Sequence, residues 1–91
     1  MPLIHYSIRV EGTVQGVGFR YTTLREALKL GITGTVRNDD DGAVSIEAEG
    51  ERKALNQLRD WCQHGPLGAT VTTVTVKEAP VRGYASFEIE P

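Results

Sequence analysis

Residues 4–30 read IHYSIRVEGTVQGVGFRYTTLREALKL, and the spacing of their apolar side chains changes halfway along. In residues 4–11 every second side chain is apolar, which predicts a strand with one buried face. In residues 19–30 the apolar positions recur at three- and four-residue steps, which predicts a helix that Gly31 ends. Three glycines among the seven residues 12–18 separate the two patterns. The stretch therefore predicts a strand, a glycine-rich turn and a helix.

The same two patterns recur through the rest of the chain. Residues 33–38 and 44–49 are predicted strands, and the Asp-Gly pair within residues 39–42 suits the hairpin turn between them. A second helix is predicted over residues 51–64, because a Gly-Pro pair at 65–66 would stop it. The last two predicted strands are residues 69–78, with a bulge near Thr72 and Thr73, and residues 85–90, at the sheet edge.

The predicted order of elements is βαββαβ with one extra short strand at the C-terminal edge. The order contains two βαβ-like crossovers joined by one hairpin. Because crossover connections are right-handed, both helices lie on one face of an antiparallel sheet. The sequence therefore predicts an α+β fold, a ferredoxin-like α/β sandwich, as a single domain over residues 1–91. This architecture carries many unrelated functions, so the function has to be argued from a site.

Composition argues against several classes of protein. A formal net charge of −2 provides no basic surface for a phosphate backbone, so we expect no nucleic acid partner. Cys62 is the single cysteine, so an internal disulfide is excluded. Because it falls on the apolar face of the second predicted helix, we expect it to be a core residue. No apolar run approaches the roughly 20 residues of a membrane span. We expect a cytoplasmic monomer that does not associate with membranes.

The glycine-rich turn carries the strongest functional signal. Glycines allow successive backbone N–H groups to converge, and at a helix N-terminus such a turn can form a seat for an anion such as phosphate. Arg20 follows in the first helical turn, and its planar guanidinium can hold two phosphate oxygens. The residues alone leave a second interpretation open, in which the glycines only permit a tight connection and Arg20 is solvated. A nucleotide P-loop is excluded because no Gly-Lys-Ser/Thr follows, and a dinucleotide site because Tyr21 replaces its third glycine.

Two stretches of the chain resemble a known family. Residues 10–20, VEGTVQGVGFR, resemble the phosphate loop of the acylphosphatases, and residues 34–44, GTVRNDDDGAV, resemble the second motif of that family. Residues 61–69 and 87–89 are similar to the family as well, so the resemblance spans nearly the whole chain. It implies the same βαββαβ fold and the hydrolysis of an acyl phosphate to a carboxylate and inorganic phosphate, with no cofactor and no metal.

The resemblance also implies roles for particular residues. Arg20 is implied as the phosphate binder and Asn38 as the residue that orients the attacking water. The remaining residues implied in substrate binding are Gln15, Gly16, Val17, Gly18 and Phe19. The released carboxylic acid has a pKa of about 4, so the reaction needs no general acid at neutral pH. One departure from the family is Thr35, where an aromatic residue is usual.

Three other functions are compatible with a βαββαβ order. An RNA-recognition domain shares this order, but residues 43–49 lack the aromatic side chains on which bases would stack and include two acidic residues. A carbamoyl-phosphate module like that of the hydrogenase-maturation carbamoyltransferases stays open, as does a non-catalytic ferredoxin-like binding or regulatory domain.

The remaining titratable residues are expected to be structural or solvated. His5 falls on the exposed side of the first strand and His64 at the end of the second helix, so both are predicted at the surface. Residues 39–41 are three aspartates, but an EF-hand loop in this register would have to begin at Arg37, which cannot bind calcium. They are predicted to form a solvated turn, without a metal.

Overall fold

The computed structural model describes residues 2–91, which form five strands and two helices. The strands are β1 (Ile4–Thr13), β2 (Thr33–Asn38), β3 (Val44–Gly50), β4 (Thr70–Ala79) and β5 (Phe87–Ile89). The helices are α1 (Phe19–Leu30) and α2 (Arg52–Cys62). Among the described residues, neither helix has the length and hydropathy needed to cross a bilayer.

The strands form one sheet in the order β4-β1-β3-β2-β5. The first four are antiparallel to their neighbours, whereas β5 runs parallel to β2 and makes the sheet mixed. The ferredoxin-like sandwich is confirmed, and so is the position of the last strand at the sheet edge. The parallel pairing brings the C-terminal strand beside the strand that carries Asn38.

Both helices pack against one face of the sheet, where alternate strand residues are buried. The main core residues are Tyr6, Ile8, Val10, Val36, Val44, Ile46, Ala48 and Phe87 from the strands and Phe19, Ala27, Leu55, Leu58 and Cys62 from the helices. Burial raises the pKa of the Cys62 thiol to about 12. The prediction that this cysteine is a core residue is confirmed.

The pairing of β1 with β4 contains the predicted bulge. Glu11 lies opposite Thr73 and Gly12 opposite Val71, so Thr72 is the extra residue on β4. The first strand is predicted over residues 4–11, and this predicted end is wrong because β1 continues through Gly12 to Thr13. A Cβ at Gly12 would lie 2.1 Å from the Thr70 carbonyl oxygen, so this glycine permits the close approach of β4.

The predicted surface position of His5 is wrong. Its side chain points away from the helices, as the alternation requires, but it is 0% exposed. Residues 80–86 connect β4 at one edge of the sheet to β5 at the other and cover His5, with the ring of Tyr84 centred 6.1 Å away. The two imidazole nitrogens lie 2.7 Å from a carboxylate oxygen of Glu49 and 2.6 Å from one of Glu47. His64, in contrast, is exposed as predicted.

Candidate active site

A cleft of about 220 Å³ opens where the turn between β1 and α1 meets the ends of β2 and β5. It is lined by Val14, Gly16, Gly18, Phe19, Arg20, Tyr21, Asn38 and Ile89. The two residues implied in catalysis, Arg20 and Asn38, are therefore brought together although 18 positions separate them in the sequence.

The backbone of the turn depends on its glycines. Gly16 and Gly18 have φ angles of 77° and 78°, in the left-handed region that other residues adopt with strain. Gly18 also precedes α1 directly, and no side chain caps this helix. Within the described chain, the N–H groups of residues 16–20 donate to no carbonyl or carboxylate. Free amides at a helix N-terminus, together with the positive end of the helix dipole, favour an anion.

Buried side chains hold the turn at both ends. Val14 is 1% exposed, and Phe19, the first residue of α1, packs its ring 5.4 Å from that of Trp61. Gly65 lies against the same ring, because a Cβ there would be 2.5 Å from a Phe19 ring carbon. The Phe19 side chain therefore belongs to the core, and only its backbone can serve a ligand in the cleft.

Gln15 connects the turn to the hairpin between β2 and β3. Its side-chain amide nitrogen donates to the carbonyl oxygens of Asp39 at 2.7 Å and Ala43 at 2.9 Å. This amide is committed to the protein itself and does not line the cleft. The half-buried Val17 packs against the core and does not line the cleft either. Of the five residues implied in substrate binding, Gly16, Gly18 and Phe19 form the wall of the cleft.

Arg20 and Asn38 keep their polar groups available. Both side chains are half-buried, and within residues 2–91 neither makes an ion pair or a side-chain hydrogen bond. Arg20 lies in the first turn of α1, and Asn38 is the last residue of β2, where its backbone pairs with Val44. The cleft thus presents a permanent positive charge and an amide with both donor and acceptor atoms.

Two arginines pair with aspartates of the acidic hairpin beside Asn38. The Asp39 carboxylate accepts hydrogen bonds from Arg9 at 3.0 Å and from Arg37 at 3.1 Å. Arg9 also pairs with Asp41, and this hydrogen bond lowers the pKa of that carboxyl group below its usual value. Asp39 is thus half-buried and paired, so the prediction of a solvated turn is wrong for this residue. The pairing weakens the repulsion between the hairpin and an anion in the cleft.

Tyr21 and Ile89 line the cleft although neither is a predicted site residue. Tyr21 follows Arg20, and no motif of the sequence assigns it to a phosphate site. Ile89 is far away in the chain and reads as an ordinary strand residue. It reaches the cleft because β5 pairs in parallel with β2, where Ile89 lies opposite Val36. Apolar periodicity carries no information about that pairing.

A ferredoxin-like sandwich whose glycine-rich turn presents free amides beside an arginine has the features that favour an anionic ligand such as phosphate. Comparison with known proteins gives the family: the acylphosphatase family model matches residues 6–89. An acylphosphatase of Synechococcus sp. (strain CC9311) is 52% identical over 80 residues, which are 88% of this chain and 89% of that relative. The chain belongs to the acylphosphatase family and is a hydrolase of that class.

Solved structures agree with this assignment. The acylphosphatase from Bacillus subtilis superimposes with a TM-score of 0.94 at 40% identity, covering 97% of this chain and 99% of that one. Full-length HypF in its phosphate- and nucleotide-bound form matches with a TM-score of 0.90 at 28% identity. That match covers 99% of this chain but 12% of HypF.

Proposed function

We propose that this chain hydrolyses the carboxyl–phosphate anhydride of small acyl phosphates, with water as the nucleophile and without a metal ion. The observation that carries the proposal is the single cleft in which Arg20, the uncapped N-terminus of α1 and Asn38 meet. The products are a carboxylate and inorganic phosphate. We propose that the active form is a monomer, with the small acyl phosphate as its partner and no nucleic acid. The reduced thiol of Cys62 suits a cytoplasmic location.

In this mechanism the turn and Arg20 hold the phosphoryl group. Phosphoryl transfer passes through a loose transition state, so catalysis consists mainly of positioning and stabilisation of charge on the phosphoryl oxygens. The free amides of residues 16–20 and the guanidinium of Arg20 supply hydrogen bonds and positive charge for these oxygens. Because buried anchors fix the turn before substrate arrives, little reorganisation is needed at the moment of reaction.

Asn38 has the complementary role of holding the water. Its carbonyl oxygen can accept a hydrogen bond from the water and its amide can donate one, which fixes the water's position without removing its proton. The water oxygen attacks phosphorus, the bond from phosphorus to the acyl oxygen breaks, and the electron pair leaves on the carboxylate. Both protons of the water stay with the phosphate, which is released as H2PO4−. Since that leaving group is already a weak base, no side chain has to protonate it.

The activity is tested by following the hydrolysis of benzoyl phosphate with a chelator present and no metal added. We expect the purified protein to accelerate the reaction above the uncatalysed rate, with inorganic phosphate released in step with benzoate. No acceleration with any of several acyl phosphates would refute the proposal. Activity that returns only when a divalent metal is added would refute its metal-free part.

Carbamoyl phosphate is a second candidate substrate. It carries the same phosphoryl group, and the similarity to HypF gives a specific reason to include it in the assay. Its acyl part is small and polar. Two exposed residues that line the cleft, Tyr21 and Ile89, are apolar over most of their surface.

Replacing Asn38 with alanine is expected to lower kcat by up to about 10²-fold, because the attacking water loses its fixed position. The inhibition constant of inorganic phosphate should change little, since Asn38 is assigned to water and not to the phosphoryl group. Steady-state kinetics with phosphate as a product inhibitor measures both quantities. The exposed amide of Gln57 on α2 offers a matched control, Gln57→Ala, which should leave both unchanged. A parallel loss of phosphate affinity in Asn38→Ala would overturn the assigned role.

A further inference from the structure

One side of the cleft is apolar and exposed. Tyr21 is 60% exposed and Ile89 is 37% exposed, and both belong to the small set of large apolar side chains that the described fold leaves at the surface. Single exposed apolar residues are common and carry little meaning. Tyr21 and Ile89, however, line the same cleft as Arg20 and the free amides of the turn. They form an apolar surface beside a polar one.

The two side chains belong to different elements that meet at the cleft. Tyr21 lies in the first turn of α1, directly after Arg20, whereas Ile89 lies on β5, which contacts α1. The position of β5 is fixed by backbone hydrogen bonds, among them Gly34 N–H to Ser86 O at 2.9 Å and Glu90 N–H to Val36 O at 2.8 Å. The apolar surface is therefore present before any substrate arrives.

The proposed mechanism uses only the polar side of the cleft. Once the phosphoryl group is held by the turn and Arg20, the acyl group has to occupy the remaining space, where the exposed apolar contacts are Tyr21 and Ile89. We propose that these two residues form an acyl subsite that selects acyl phosphates with an apolar chain or ring over those with a small polar acyl group. The inference rests on the proposed function and deepens it by naming the substrate class.

Acetyl phosphate and hexanoyl phosphate provide a clean comparison, because both release an unbranched carboxylate and differ chiefly in apolar surface. Carbamoyl phosphate is the third substrate. In an enclosed pocket, each extra methylene of a substrate changes kcat/KM by about tenfold or more. Because this cleft is open, we expect an effect of about tenfold for all the extra methylenes of the hexanoyl group together. We expect kcat/KM to be about tenfold higher for hexanoyl phosphate than for acetyl phosphate, and lowest for carbamoyl phosphate.

The residue assignment is tested with Tyr21→Ser and Ile89→Ser. Each should lower the ratio of kcat/KM for hexanoyl phosphate to that for acetyl phosphate by several-fold, while Tyr21→Phe, which keeps the ring, should preserve it. The matched control is Leu28→Ser: Leu28 is 64% exposed and lies two turns further along α1, away from the cleft, so its loss should leave the ratio and the rate unchanged. Thermal melts confirm that each variant is folded.

The possible failures are distinguishable. Hydrolysis of all three substrates with equal kcat/KM would overturn the acyl subsite and leave the proposed function intact. Equal losses for the hexanoyl and acetyl substrates in Tyr21→Ser and Ile89→Ser would show a merely structural role and would also overturn it. No hydrolysis of any of the three would refute the proposed function and this inference together.

Discussion

Replacing Arg20 with glutamine is expected to lower kcat/KM for acyl phosphate hydrolysis by about 10²- to 10³-fold, the usual cost of removing one preorganised transition-state donor. The guanidinium lies beside the free N-terminal amides of α1 and faces the same cleft as Asn38. Glutamine keeps a polar side chain of moderate length but has neither the positive charge nor the planar fork of donors. Because Arg20 has no ion pair within residues 2–91, its loss leaves no partner unsatisfied in the fold.

The inhibition constant of inorganic phosphate should rise in Arg20→Gln, since the lost charge acts on the phosphoryl oxygens in the ground state as well. Arg25 provides a matched control, because it is an exposed arginine on the same helix and does not line the cleft. Arg25→Gln should behave as the wild type, whereas Arg20→Lys should recover part of the activity through its charge alone. Near-normal turnover in Arg20→Gln, with the fold intact, would refute the phosphate-binding role.

Apolar periodicity predicted the elements closely because most strands and both helices bury one regular stripe. α1 and β2 have the predicted bounds, and α2 runs over Arg52–Cys62 where residues 51–64 were expected. The end of β1 is the exception. A glycine after an alternating run commonly ends a strand, but Gly12 lies within β1 and allows β4 to approach more closely than a Cβ would permit. Whether a glycine ends a strand or permits the close approach of a neighbouring strand is decided here by the pairing of β1 with β4, which the sequence pattern does not show.

The candidate site was predictable where it depends on local motifs. Arg20 and the glycines follow from the turn itself, and the resemblance added Asn38. The side-chain role of Gln15 and the presence of Ile89 were not predictable, because each depends on a contact with a distant strand: Gln15 bonds residues on the β2–β3 hairpin, and Ile89 enters through β5. Sheet order and strand direction, which apolar patterns do not encode, determine both.

His5 shows the same limit on the opposite face of the sheet. Alternation correctly placed its side chain away from the helices but could not show that residues 80–86 cross above it. Its carboxylate partner Glu49 lies 44 positions later in the sequence and is itself only 2% exposed. The Glu49 carboxylate also accepts hydrogen bonds from the backbone N–H groups of Arg82, of Gly83 at 2.9 Å and of Tyr84 at 3.2 Å. A single buried glutamate, Glu49, therefore holds residues 82–84 of the segment that leads into β5 in place.

These contacts set the ionisation of Glu49. Burial on its own would raise the pKa, but the hydrogen bonds from the Arg82 backbone, His5 and the Tyr84 and Gly83 backbones outweigh it and lower the pKa to about 2, from 4.5. A carboxyl group whose pKa is lowered on folding stabilises the native state fully above its unfolded pKa and loses that effect as the pH falls through its folded pKa. For this shift the contribution is about 3 kcal/mol, lost between roughly pH 5 and pH 2.

Replacing Glu49 with glutamine is accordingly expected to lower the free energy of unfolding at pH 7 by about 3 kcal/mol, which corresponds to a fall in Tm of roughly 12–24 °C. Urea unfolding at a series of pH values measures the effect. Between pH 5 and pH 2 the difference between wild type and variant should shrink towards zero, because the wild-type carboxylate becomes protonated while the amide does not titrate. Subtracting the two curves removes the titration of the other acidic groups.

Glu78 provides the matched control for Glu49. It is also a glutamate paired with a basic side chain, Arg52, but both partners are more than half exposed, so Glu78→Gln should cost at most about 1 kcal/mol. A difference between Glu49→Gln and wild type that is small at pH 7, or that stays constant down to pH 2, would contradict the buried anchor. A difference that vanishes with acid would assign the stability of the crossing segment to one ionised carboxylate, because the glutamine amide can replace its shape but not its charge.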